Sequence, residues 1–121
     1  MDTTPEVDID LTLCVPCFNE ETRVTGTLET IREAMAEFDY SYEVIVIDDG
    51  STDYTVRVVQ EFIESNPGMH VILHQNPHNL GLSRTYVDAS FMGRGRYFRL
   101  VWGDDVEPKV TMMAIFSKMG D

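Results

Sequence analysis

Residues Glu43–Asp53 read Glu-Val-Ile-Val-Ile-Asp-Asp-Gly-Ser-Thr-Asp. The first half is an unbroken apolar run of branched residues, Val44, Ile45, Val46 and Ile47. A strand buried on both faces has this composition, as in a parallel sheet. The second half turns polar at once. Asp48 and Asp49 stand where the strand would end, Gly50 permits a tight turn, and Ser51, Thr52 or Asp53 can cap a following helix. Ligands of open α/β sheets bind just beyond the carboxyl ends of the strands, so two acids at that place are a candidate site. The competing reading is that they only solvate a loop and cap a helix.

Outward from that stretch the pattern repeats. Towards the N-terminus, Leu11–Val15 reads as a first strand that Pro16 ends. A polar turn, Phe18-Asn-Glu-Glu21, leads to a helix whose stripe is Val24, Leu28, Ile31, Met35 and Phe38. Beyond Asp53 a second helix carries Val56, Val59 and Ile63, with Phe62 beside them, and Asn66-Pro-Gly68 stops it. His70–His74 is a third strand, and Gln75–Gly81 a turn rich in Asn and Pro. A third helix is expected over Leu82–Met92, ended by Gly93-Arg-Gly95. Tyr97–Val101 is a fourth strand with Trp102-Gly-Asp-Asp105 at its end, and Pro108 opens a last helix over Lys109–Lys118. Strands alternating with amphipathic helices imply parallel pairing and right-handed crossovers. The ends of strands one, two and four then converge on one rim.

The totals restrict the function classes. The chain has 121 residues, 43% of them apolar and 25% charged, which suits one soluble globular domain. Its formal net charge of -12 repels phosphate backbones and anionic lipid, so nucleic acid is not an expected partner. No apolar run approaches the ~20 residues that span a bilayer. Residues 1–10 form an acidic leader without Lys or Arg, unlike a secretory signal, and the expected location is cytoplasmic, with the cytosolic side of a membrane compatible. Cys14 and Cys17 form Cys-Val-Pro-Cys after a strand, which admits a thiol–disulfide oxidoreductase as an alternative. A polar turn before the helical stripe argues against it, because a redox pair needs its first Cys at a helix N-terminus. His70, His74 and His78 read as polar strand and loop positions.

The rim acids suit a hard cation or the hydroxyl and amide donors of a nucleoside. At an effective dielectric of about 20, two like charges about 4 Å apart repel by roughly 4 kcal/mol. Asp104 and Asp105 beside a diphosphate would call for a divalent cation, Mg2+ or Mn2+, that both sides ligate, so the rim takes either a metal-bridged nucleotide diphosphate or no phosphate at all. Gly-x-Gly-x-x-Gly after the first strand and the Walker lysine motif are both absent, which disfavours dinucleotide dehydrogenases and nucleotide hydrolases.

Taken as an ordered set, these pieces resemble the family 2 glycosyltransferases. They are Val15-Pro-Cys-Phe-Asn-Glu-Glu21, Val46-Ile-Asp-Asp-Gly-Ser-Thr-Asp53, Asn79-Leu-Gly-Leu-Ser-Arg84, Gly95-Arg-Tyr97, and Gly103-Asp-Asp105 with Pro108. The resemblance covers roughly residues 11 to 118. It implies a GT-A fold, that is, a Rossmann-like three-layer α/β/α domain on a mostly parallel sheet, here incomplete and spanning 11–121. It implies a glycosyltransferase that moves a sugar from a UDP- or GDP-sugar to an acceptor hydroxyl with inversion. Pro16, Phe18 and Glu20 would line the nucleoside pocket, Asp49 would bind the base, and Asp48 would shape the turn or touch the ribose. Arg84 would lie near the diphosphate. Asp104 falls on the last acid of the family's Asp-x-Asp metal motif, with Asp105 after it, while Trp102 replaces the first acid. The family's acceptor segment and catalytic base lie beyond this stretch, so no catalytic residue is assigned. The chain alone is expected to bind donor without transferring it, and to self-associate as a homo-oligomer. A non-catalytic nucleotide-sugar-binding or assembly module is the other reading.

Overall fold

The computed structural model describes residues 9–81, 84, 92, 93, 95 and 97–100. Its elements are β1 (Leu11–Cys17), α1 (Val24–Ala36), β2 (Tyr42–Asp48), α2 (Thr55–Ser65), β3 (Val71–Gln75) and β4 (Tyr97–Leu100). The four strands form one sheet in the order β3-β2-β1-β4. All pairings are parallel, with Leu13 opposite Val44, Cys14 opposite Ile45 and Val15 opposite Val46. This is the open α/β sheet expected from the alternating pattern.

The register divides the core between two faces. Leu11, Leu13, Val15 and Cys17 of β1 and Val44 and Val46 of β2 pack with Val24, Leu28, Ile31, Ala34 and Met35 of α1 and Val59 and Phe62 of α2. Cys14, Ile45 and Ile47 point the other way and meet Met92 and Phe98. Branched residues on both faces of β2 are what that two-sided burial requires. Leu28, wholly removed from solvent, contributes roughly 1.5–3 kcal/mol by its burial.

Two local expectations change. β1 does not end at Pro16; it runs on through Cys17, pairing Pro16 with Ile47 and Cys17 with Asp48. Proline's fixed φ is compatible with extended chain, and only its N–H is lost. The buried stripe of α2 is Thr55, Val59 and Phe62 rather than Val56, Val59 and Ile63. The helix begins at Thr55, later than the cap residues suggested, and its contact face follows the bulk of Phe62. Trp102–Asp105 and the last predicted helix lie outside the described residues.

One polar chain runs through the second face. The Thr12 hydroxyl donates to Glu43 Oε2 at 2.7 Å and accepts the Gly95 N–H at 2.8 Å. A Cβ on Gly95 would sit 2.5 Å from the Thr12 nitrogen, so the segment before β4 lies directly on β1. Glu43 is fully buried, and the hydroxyl supplies one of the hydrogen bonds a buried carboxylate needs.

Candidate functional site

The polar rim is built at the carboxyl ends of β1 and β2. β2 ends at Asp48, and the Asp49 N–H donates to the Cys17 carbonyl at 2.8 Å, so the two strands leave the sheet together. Gly50 follows with φ 78°. A Cβ there would fall 2.6 Å from both Asn79 N and His78 C, so the loop after β3 passes against this glycine. Only glycine satisfies the left-handed turn and the close approach at once.

The paired acids have different surroundings. Asp49 is buried, and its carboxylate is engaged by the chain's own 76–81 segment. Asp49 Oδ1 accepts from Asn76 Nδ2 and from the Leu80 N–H, each at 2.8 Å. Asp49 Oδ2 accepts from the Gly81 N–H at 3.1 Å. A carboxylate has about four acceptor positions, so most of this one serves to lash the loop that leads towards Arg84. Arg84 is helical and exposed. Asp48 Oδ2 accepts the Ser51 N–H at 3.1 Å. Asp48 Oδ1 is buried without a hydrogen-bond partner among the described residues. A buried carboxylate oxygen left so is costly, and marks a place where a ligand donor or a water belongs.

The β1 loop is stitched to the loop that follows β2. Asn19 adopts φ 53°, in the left-handed region. Its Oδ1 accepts the N–H groups of Thr52 at 2.8 Å and Asp53 at 3.3 Å, and its own N–H donates to Ser51 Oγ at 2.9 Å. The Glu20 N–H donates to Thr55 Oγ1 at 2.8 Å, and the Glu21 N–H to Asp53 Oδ2 at 3.3 Å. Asp53 Oδ1 also accepts the Thr55 N–H at 2.9 Å and the Thr55 hydroxyl. Partial burial pushes the Asp53 carboxyl up, but the hydrogen bonds from Thr55 and Glu21 outweigh it and hold the group below its usual range. Phe18 keeps 45% of its surface exposed, a large apolar ring left at the rim. Glu20 is half-buried beside Arg23, 3.9 Å away, and Pro16 is half-buried at the strand end.

The structure therefore brings Pro16, Phe18, Glu20, Asp48 and Asp49 onto adjoining strand ends. Asp104 and Asp105, the expected metal ligands, lie outside the described residues. Among the described residues no group of three His, Cys, Asp or Glu is arranged to hold a metal ion. Asn19, Ser51, Thr55 and Asn76 also build this rim, beyond the site residues that the sequence pattern marks. Their signal was weak: Asn is among the few residues that tolerate the left-handed conformation, but nothing local says which Asn will adopt it.

Cys14 and Cys17 are free and buried. Burial pushes both thiols up to about 12, with the nearby Glu20 and Asp48 charges adding to the effect at Cys17. A redox cysteine needs the opposite, an accessible thiol with a lowered pKa. No helix among the described residues is long and apolar enough to cross a membrane.

A parallel α/β sheet with a polar rim at the carboxyl ends of its strands belongs to the class of open α/β proteins that bind ligands at that edge. Residues 12–112 match the family model described as glycosyl transferase family 2, and the chain belongs to that family. It is 30% identical over 105 residues to a dolichyl-phosphate beta-glucosyltransferase of Dictyostelium discoideum, covering 83% of this chain and 32% of that protein. It is also 30% identical over 100 residues to a dodecaprenyl-phosphate galacturonate synthase of Rhizobium johnstonii, covering 83% of this chain and 29% of the relative. The chain thus spans about a third of the length of these relatives. Among solved structures, the mannosyltransferase PcManGT from Pyrobaculum calidifontis, in complex with GDP-Man and Mn2+, superposes with a TM-score of 0.77 at 24% identity, over 98% of this chain and 36% of its own. TarS 1-349 of S. aureus in complex with UDP-GlcNAc gives 0.73 at 24% identity, over 93% of this chain and 31% of its own. These likenesses establish the GT-A fold.

Proposed function

We propose that this chain is the donor-binding part of a glycosyltransferase that takes a sugar from a nucleotide-diphospho-sugar. The observation that carries the reading is the buried Asp48 Oδ1 at the end of β2, without a hydrogen-bond partner among the described residues and beside a carboxylate that organises the rim. A ribose hydroxyl or a base N–H would supply the missing donor. The exposed Phe18 ring offers a face on which a base can stack. Asp49 holds the 76–81 loop and, through it, the approach to Arg84, which is assigned to the diphosphate. Complexes of the structural neighbours with GDP-Man and UDP-GlcNAc support the donor class, and Mn2+ in one of them supports a divalent cation. Asp104 and Asp105 are the residues assigned to that cation, which when bound neutralises charge on the leaving diphosphate.

The names of the two relatives support a polyprenyl phosphate as the acceptor of the whole protein. A phosphate monoester is largely a dianion at neutral pH, its second pKa being about 6. Such an acceptor would attack the anomeric carbon without a base to deprotonate it, whereas a hydroxyl acceptor would need one.

The test is a thermal-shift screen of UDP- and GDP-sugars with and without Mn2+, on the wild-type chain and on Phe18→Ala, Asp48→Asn and Asp104→Ala. A nucleotide-dependent rise in Tm that shrinks in all three variants supports the reading. The absence of any shift in the wild type overturns it.

A further inference from the structure

We propose that Asn19 is a positioning residue for nucleoside recognition: by clipping its loop to Thr52 and Asp53 it sets where the Phe18 ring meets the base. The inference rests on the donor-site reading above. Asn19 lies between Phe18 and Glu20, and no other non-glycine residue among the described ones has a positive φ. A left-handed residue there bends the chain just after Cys17, whose carbonyl accepts the Asp49 N–H. The side chain then anchors the bend, because Oδ1 lies 2.8 Å from the Thr52 nitrogen and 3.3 Å from the Asp53 nitrogen. The Asn19 N–H closes the clip on Ser51 Oγ at 2.9 Å. Asn19 is itself exposed, so these bonds are not there to satisfy a buried polar group. What they do is hold an exposed aromatic ring in one place at the rim. Immobilising that ring before the ligand arrives lowers the ordering cost of binding.

Three variants of the full chain separate the possibilities. Asn19→Gly keeps the left-handed backbone and drops the acceptor. Asn19→Asp keeps the acceptor and tolerates the conformation. Phe18→Leu removes the ring and provides the background for a double-mutant cycle. Dissociation constants for UDP and GDP are measured by calorimetry, with the Tm of each unliganded variant. The expected result is that Asn19→Gly weakens binding by about fivefold to tenfold. In the Phe18→Leu background the same change should cost less than about twofold, and Asn19→Asp should stay within about twofold of wild type. A merely structural role would lower Tm and cost the same affinity in both backgrounds. That outcome, or an Asn19→Gly variant that binds as wild type does, overturns the proposal while leaving the donor site standing. A wild-type chain that binds neither nucleotide overturns the donor-site reading, and this inference with it.

Discussion

Gly50 and the two cysteines show how single residues answer to surroundings that are remote in sequence. At Gly50 the φ of 78° and the backbone of His78 and Asn79 both exclude a side chain. Gly50→Ala is expected to destabilise the fold by ~1–3 kcal/mol, read as a lowered urea midpoint with an unchanged m-value. At Cys14 and Cys17 the folded chain keeps both protons up to about 12, while an unfolded thiol releases its proton near 9.0. Between those values the unfolded state binds fewer protons than the folded state, so stability falls as pH rises. The stability of the wild type should decline from about pH 9 to about pH 10.5 more steeply than that of a Cys14→Ala/Cys17→Ala variant. Equal slopes in urea melts would contradict this. At neutral pH a chromogenic thiol reagent should react only as fast as the chain opens.

Among the elements, strands and helices were legible because their periods are local, and the loops were less so. Val44–Ile47 announced a two-sided strand, and Val24, Leu28, Ile31 and Met35 announced α1. The buried stripe of α2 departs in part from its apolar pattern, since Val56 and Ile63 are as apolar as Val59, and only packing against α1 and the sheet selects Phe62 instead. The joint between the loops after β1 and β2 spans more than 30 positions of sequence, as in the bond from Asn19 to Thr52, and no local pattern encodes it. Asp53 is part of this joint. Its carboxyl is held below the usual range in the folded chain, so it stabilises the fold above the unfolded pKa, and that contribution is lost as pH falls through the lowered value. The Tm advantage of wild type over Asp53→Asn should therefore narrow as pH drops from about 5 to about 3. A constant difference across that range would show that the charge of Asp53 plays no part.

For the whole molecule, the relevant fact is that a family 2 chain of 121 residues covers about a third of its relatives. The rim proposed to bind the donor lies within that third. In a coupled assay for released nucleoside diphosphate, the chain alone should bind donor but show no turnover with added polyprenyl phosphate. Sustained turnover would place the entire catalytic apparatus inside these residues. The linear order of residues determined the alternation of strands and helices, the parallel sheet and the acidic strand ends, because each follows from side chains within a few positions of one another. Tertiary structure alone decided how the two acids divide their work. Asp49 commits its carboxylate to Asn76, Leu80 and Gly81, and Asp48 keeps a buried oxygen without a donor among the described residues, because a hydrogen bond forms between groups that folding brings within about 3 Å, however far apart they lie along the chain.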